Sequence, residues 1–409
     1  MNEEQRITKQ SYEAATQYLL HLMACALNKE APQAKPDACT WKQIWKLATY
    51  NNVEAIAWPA VKMLQASLFP EIYKKWEQAG AAVLLRQLQF DVEREQILAK
   101  LSEHKISWLP LKGILIKDYY PMPGMRYMCD NDILYGITMP AKDGGYQIAG
   151  RNEKERIQVI NNAQNQLLKI MREQGYEDES LQGNHDIFMK KPIFNFEMHR
   201  DLVSTDNPMY FYYKNPWKKA ILNKDDGYGY HFSDEDEYLF LLIHAHKHYS
   251  GGGCGLRTLA DEYVFLKKKE KKLDRDYLQK ELEKIHLTDF EDKIKKAAFH
   301  AFTPGGQMTP SDYQMIGYMI GSGTYGNFRN QINNELKRQS EKTKGDIKAA
   351  KRKYLKDRIF ASEEKMKNYY PFFYRHKSLR IFLPFYRLIK GMIIHPKQLL
   401  NEAKFVKKK

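Results

Sequence analysis

The chain has 409 residues, 43% apolar and 28% charged, with a mean hydropathy of −0.65; it has the apolar material for a core and is not a chain of membrane spans or low-complexity disorder. Its net charge of +15 is unevenly placed: residues 329–409 hold 23 Lys/Arg against 7 Asp/Glu, a net +16, which leaves the first 328 residues at −1. A near-neutral body thus carries a basic appendage, and such a segment attracts nucleic acid or anionic lipid whatever the body does.

Residues 1–105 read as a helical region, with apolar residues at helical spacing from Tyr12 to Leu27, Trp41 to Leu47, Val53 to Leu68 and Ile72 to Leu101. The apolar stretch from Tyr18 to Leu27 is too short to span a bilayer, and the mixed-charge N-terminus lacks a signal-peptide pattern. The period changes at Ile106. Ile106 to Leu111 predicts a strand, Ile114 to Tyr120 a short helix stopped by Pro121 and Pro123, and Tyr127 to Tyr135 a second strand. A Gly-rich insertion at 136–152 follows, then a helix over 153–174. Two short strands, Asp186 to Met189 and Ile193 to His199, are joined by the turn Lys190-Lys191-Pro192. Ser233 caps a helix with an acidic first turn that runs to about Tyr249 and is broken by Gly251-Gly252-Gly253. Helices are predicted from Leu256 to the lysine run at 267–272, over 275–301 and 309–320, and as one long polar helix over 329–368. Pro371, Pro384 and Pro396 punctuate the tail. Cys25, Cys39, Cys129 and Cys254 form no CxxC pair, which suits reduced thiols in a cytoplasmic protein.

Strand alternation places Asp130 and Asp132 on one face of the second strand, with Cys129 and Ile133 on the other. Glu197 on a later strand adds a third carboxylate. Phosphoryl and nucleotidyl transfer use this pattern: two carboxylates at i and i+2 bridge divalent ions, and a third completes the ligand set or acts as general base. A lone Asp-x-Asp also occurs in solvated loops, so its company matters. Lys112 and Gly113 close the preceding strand, where a glycine lets backbone approach a phosphate and the next helix offers free N–H groups. Lys112 and Arg126 supply cations; the plain alternatives are a surface lysine and a salt bridge from Arg126 to an aspartate.

In this order, Leu111-Lys112-Gly113, Tyr120 to Arg126 and Asp130-Asn131-Asp132-Ile133-Leu134 resemble an uncharacterised bacterial nucleotidyltransferase family of the DNA polymerase β-like superfamily. Glu197-Met198-His199, the histidines His244 and His248, Leu256 to Asp261 and the Tyr369-Tyr370-Pro371 tail fit the same pattern, over roughly residues 40–395. Lys112-Gly113-Ile114 departs from the usual Gly-Ser or Gly-Gly, as do Asn131 within the acidic motif, Tyr135-Gly136 after it and the insertion. The resemblance implies that Asp130, Asp132 and Glu197 hold Mg2+, or alternatively Mn2+, and that Lys112, Gly113 and Arg126 contact the phosphates of an NTP. It also implies that His199, His244, His248, Arg257 and Asp261 line the cleft, and strand pairing would bring His185 beside His199 there.

Other readings stand beside these. His244 and His248 share a helix face that His246 does not; they suit a core, hydrogen bonding in the cleft, or a zinc site with Cys254. Arg257 and Asp261 are spaced for an i, i+4 surface ion pair. The interleaved basic and aromatic residues at 374–394 suit packing on the body, an anionic membrane, or nucleic acid.

The sequence therefore predicts an α+β fold: a small nucleotidyltransferase-type sheet core at 106–232, an N-terminal helical region at 1–105, a helical domain completing the cleft at 233–328, and a basic helical appendage at 329–409. The expected activity is Mg2+-dependent transfer of a nucleoside monophosphate from an NTP to a small molecule, saccharide, protein or tRNA acceptor. The alternatives are a catalytically inactive relative that binds RNA or an anionic membrane through residues 329–409, and a zinc-dependent hydrolase. The expected location is the cytoplasm, with a peripheral membrane association as a variant.

Overall fold

A computed structural model describes residues 3–181, 183–205, 207–224, 226–343 and 346–394; Pro396 and the rest of the basic C-terminus lie outside them. The N-terminal region is helical: α1 (Glu3–Asn28), α2 (Trp41–Tyr50), α3 (Glu54–Val61) and the long α4 (Pro70–Glu103). Thr40 and Gln43 form a reciprocal capping box at the start of α2, and Pro70 occupies the first turn of α4, where its missing N–H costs nothing. The helix expected from Val53 to Leu68 stops at Val61. Pro59 lies inside it, and the chain must turn there to bring α4 back along α3.

The α/β unit follows: β1 (Ser107–Pro110), α5 (Gly113–Ile116), β2 (Asn131–Gly136), β3 (Thr138–Pro140), β4 (Tyr146–Ile148), α6 (Glu153–Glu173), β5 (Glu177–Ser180), β6 (His185–Lys190), β7 (Phe194–His199), β8 (Ile221–Leu222) and β9 (Tyr230–His231). Five strands form one sheet in the order β1-β2-β7-β6-β5, with β2 and β7 parallel and the other pairs antiparallel. The predicted α+β class holds. The Gly-rich insertion contains the β3–β4 hairpin, whose turn uses Gly144 and Gly145 at positive φ.

The two sheet faces have different jobs. Ile133, Tyr135, Phe188, Phe196 and Met198 point to one side and are buried with Phe90 and Ile97 of α4 and Leu167 and Ile170 of α6. Each such side chain stabilises the fold by about 1.5–3 kcal/mol. The alternate residues, Asp132 and Leu134 on β2 and Glu197 and His199 on β7, face the other way.

Opposite that second face stand α7 (Asp234–Tyr249), α8 (Leu256–Lys269), α9 (Arg275–Lys284), α10 (Thr288–Phe302) and α11 (Pro310–Ser322). Ser233 caps α7 by accepting from the Asp236 N–H at 3.2 Å. α1 packs against α10 and α3, so Leu19, Met23, Leu259, Ala298 and Phe302 share one core that also takes in Leu134. The basic segment is α12 (Phe328–Lys342), α13 (Ile347–Ile359), α14 (Glu363–Tyr369), α15 (Pro371–Arg375) and α16 (Leu383–Ile394). The single helix expected over 329–368 is broken. Asp346 caps a new helix by accepting from the Ala349 N–H, and α13 folds back on α12 to bury Ile332, Ala350 and Tyr354.

One buried acid gives the fold a pH dependence. Burial pushes the Glu262 carboxyl up, to about 8, against the lowering hydrogen bond with Tyr238. The Tyr238 hydroxyl donates to Glu262 Oε1 at 2.6 Å, with Glu291 Oε1 as its other acceptor at 3.1 Å, so one proton serves two acids. Between the ordinary glutamate range and pH 8 the folded chain holds a proton on Glu262 and the unfolded chain does not, so stability falls as pH rises through that window. Glu262→Gln mimics the protonated acid. It is expected to match wild type at pH 5 and to exceed it at pH 8 by on the order of 1–3 kcal/mol in urea unfolding; parallel curves across the range would refute the assignment.

Candidate active site

The register of two parallel strands creates the centre of the site. Asp132 lies directly beside Glu197, and Leu134 beside His199, across β2 and β7; His185 of β6 pairs with His199 on the far side. The Leu111 N–H donates to the Asp132 carbonyl at 2.9 Å and so carries Lys112 alongside. Lys112 adopts φ 51°, an unusual conformation for a side chain with a Cβ, which turns the chain from β1 into α5. Its ammonium and His199 Nε2 both reach Asp132 Oδ1, at 2.7 and 2.8 Å. Glu197 Oε2 stands 3.9 Å from both His185 Nε2 and His199 Nε2. One ligand atom each from Asp132, Glu197 and His199 lies within 4.8 Å of the others.

Asp130 lines the same cleft, but it precedes β2 instead of lying within it. The expected alternation consequently fails for Cys129. It too lines the cleft, with Sγ 2.9 Å from the Tyr325 hydroxyl. Arg86 of α4 holds this irregular stretch, donating to the Met128 carbonyl at 2.5 Å and to the Cys129 and Ile193 carbonyls at 3.2 Å. Sequence reasoning missed Arg86 because nothing local marks it; it is an ordinary helical arginine until the fold places three carbonyls around it.

The electrostatics follow from burial. Burial alone would raise the Asp132 carboxyl, but Lys112 and the His199 hydrogen bond hold it well below the carboxylate range. Burial and the Asp132 charge push Asp130 up, and burial with Asp132 and Asp130 pushes Glu197 up. Burial opposes the Lys112 charge, yet the three carboxylates keep it protonated. Burial holds His185 and His248 down, each to about 4, and holds His244 well below the ordinary imidazole value, so these imidazoles are neutral at pH 7.

His244 and His248 face the cleft with their Nε2 atoms 3.1 Å apart, one donating and the other accepting, while His246 turns away onto Phe290. Among the described residues, metal-ligand spacing occurs at Asp132, Glu197 and His199 and not at this histidine pair. Arg257 and Asp261 do not pair with each other. Asp261 takes a two-pronged bond from Arg126, Nε to Oδ1 at 2.7 Å and Nη2 to Oδ2 at 2.8 Å, and a third from the Tyr120 hydroxyl at 2.8 Å. Arg257 donates to the Tyr127 carbonyl at 3.3 Å and approaches Cys129 Sγ at 3.5 Å. The cleft holds about 410 Å³ and adds Lys247, Thr258 and Tyr325 to the residues expected from sequence.

A family model described as an uncharacterised nucleotidyltransferase matches residues 37–140 and 157–302. The chain belongs to that family. Nucleotidyl transfer, with an NTP as donor, is the chemistry the family's description carries, and both matched segments contribute to the cleft just described. The unmatched residues 141–156 take in the hairpin turn, β4 and the first turn of α6, and the basic segment lies beyond the match. No curated protein and no solved structure matched the chain.

Gly113 sits where family membership and geometry meet. A Cβ there would lie 2.5 Å from Arg126 Nη1, and the guanidinium cannot retreat because Asp261 holds its other nitrogens. Gly113→Ala is expected to cost about 1–3 kcal/mol of stability and to reduce transfer. An unchanged melting temperature together with full activity would show that the close approach is dispensable.

Proposed function

We propose that the chain transfers a nucleoside monophosphate from an NTP to an acceptor hydroxyl, using Asp130, Asp132 and Glu197 with a divalent cation, Mg2+ or Mn2+. The observation that carries the reading is the buried cluster itself. Three carboxylates converge on one ammonium, and two of them are pushed up by burial and by the neighbouring carboxylate charge. The donor set fits: carboxylate oxygens suit Mg2+ and Mn2+, and an imidazole nitrogen from His199 suits Mn2+ as well. When bound, such a cation screens the triphosphate and stabilises charge that develops on the departing pyrophosphate.

The chain's own groups do the rest. Lys112, with the Gly113 backbone beside it, receives phosphate oxygens, and Arg257 and Lys247 add positive charge to the cleft wall. Glu197, raised toward neutrality, accepts the proton of the attacking hydroxyl at Oε2. The hydroxyl oxygen bonds to the α-phosphorus, the bond to the bridging oxygen breaks, and pyrophosphate leaves. Arg126, expected from sequence to touch phosphate, is assigned a positioning role, because Asp261 already engages its fork. The neutral histidines line the acceptor side.

Pyrophosphate release from each of the four NTPs with Mg2+ or Mn2+, against extracts fractionated by size, tests the reading. Release that depends on one NTP and one fraction is the expected result. If wild type binds neither NTP nor cation, the fold serves without the chemistry.

A further inference from the structure

The catalytic reading leaves the C-terminal helices unused, yet they carry an exposed apolar surface. α16 buries Leu383 and lies against α13, while Phe385, Leu388, Ile389, Met392 and Ile393 are each more than half exposed. Phe385, Leu388, Ile389 and Met392 are spaced i, i+3, i+4 and i+7, so they form one stripe. Ile381 and Phe382, 71% and 57% exposed in the preceding turn, extend it. Single exposed apolar residues are ordinary, whereas a contiguous patch of this kind marks an interaction site. From Tyr369 to Ile394 the sequence also has five Lys/Arg and no Asp/Glu. Arg380 and Arg387 are engaged by backbone carbonyls, and Arg380 also by Glu363 at 3.6 Å, which fixes the helices to one another, while Arg375, Lys377 and Lys390 are exposed.

We propose that this face docks on an anionic lipid surface, with α16 lying in the plane of the membrane interface. Its 12 residues extend about 18 Å, short of the roughly 30 Å hydrocarbon core. Among the described residues no helix is long and apolar enough to cross a membrane. The stripe therefore rests on a bilayer and does not span it. The aliphatic side chains leave water for the acyl boundary, and the cations meet lipid phosphates. Nucleic acid fits less well: Phe382 and Phe385 offer rings to a base, but the larger part of the stripe, Leu388, Ile389, Met392 and Ile393, is aliphatic and has no face on which a base could stack. A second copy of the chain fits less well too, since it would bring the same cations together.

Flotation of the full chain with vesicles tests this. Binding to phosphatidylcholine–phosphatidylglycerol vesicles is expected to exceed binding to phosphatidylcholine alone by about tenfold or more, and to weaken as salt rises. Leu388→Ser combined with Ile389→Ser alters only exposed positions, so its melting temperature is expected to match wild type while vesicle binding falls about tenfold. Lys377→Gln combined with Lys390→Gln is expected to lower binding to the anionic vesicles. Failure of wild type to float with anionic vesicles overturns the proposal, as does undiminished flotation of the serine variant. Without flotation, binding to single-stranded RNA that the lysine variant loses and the serine variant keeps would assign the face to nucleic acid. Self-association lost in the serine variant, again without flotation, would assign it to a second copy.

Discussion

Replacing Asp132 by asparagine is expected to abolish nucleotidyl transfer while leaving the chain folded. The amide keeps the size of the carboxyl, and its oxygen can still accept from Lys112 and His199, which now meet at one atom at 2.7 and 2.8 Å. What disappears is the negative charge. Losing a group aimed at transition-state charge costs about 10²–10³ in rate, and a carboxylate that would hold the cation belongs at the upper end, near 4 kcal/mol. Removing a partner from a buried ion pair ordinarily costs about 3–5 kcal/mol of stability. Here the loss should be under about 2 kcal/mol, since Asp130 and Glu197 remain beside Lys112 and are relieved of a repelling neighbour. A cation that binds only the folded chain stabilises it by about 2.7 kcal/mol at a hundredfold excess over Kd. Wild type should therefore melt higher in Mn2+ or Mg2+, and Asp132→Asn should not. Activity within tenfold of wild type in the variant, or a wild-type melt blind to both ions, would remove Asp132 from the centre of the mechanism.

How far the site could be read in advance depended on the range of the interactions. Asp132 and Glu197 were legible because strand alternation fixes a side chain's face from its neighbours alone, and Ile133 and Met198 mark the buried side. His244 and His248 were legible for the same reason with a helical period. Cys129 was misplaced because alternation was extended past the start of β2 into irregular chain held by Arg86. β5 escaped notice because Glu177–Ser180 is an exposed edge strand with no apolar face to show. The hairpin of the insertion is written in glycines that permit a turn without specifying strands. Arg257 and Asp261 looked like a pair because local spacing allowed one, whereas the actual partner of Asp261 lies 135 residues away in sequence. No periodicity carries that information; it appears only when α8 is packed against the loop that follows α5.

That distant pair sets the second large effect. Asp261→Ala leaves Arg126, 9% exposed, without its carboxylate and strands the Tyr120 hydroxyl as well. An uncompensated buried charge costs about 3–5 kcal/mol, enough to remove a large share of a typical domain's stability. Urea unfolding should show it directly. Replacing both partners, Arg126→Met with Asp261→Leu, exchanges the ion pair for apolar contacts, and such exchanges are often neutral, so most of the lost stability should return. The double variant then separates two roles for Arg126. A residue that only positions the loop between Lys112–Gly113 and Asp130 can be replaced by packing, and KM for the NTP should stay within about threefold of wild type, below ~0.7 kcal/mol. A residue that also grips phosphate cannot be replaced by methionine. A folded double variant whose KM rises by tenfold or more would return Arg126 to the triphosphate, and would mean that Asp261 releases it when the nucleotide arrives.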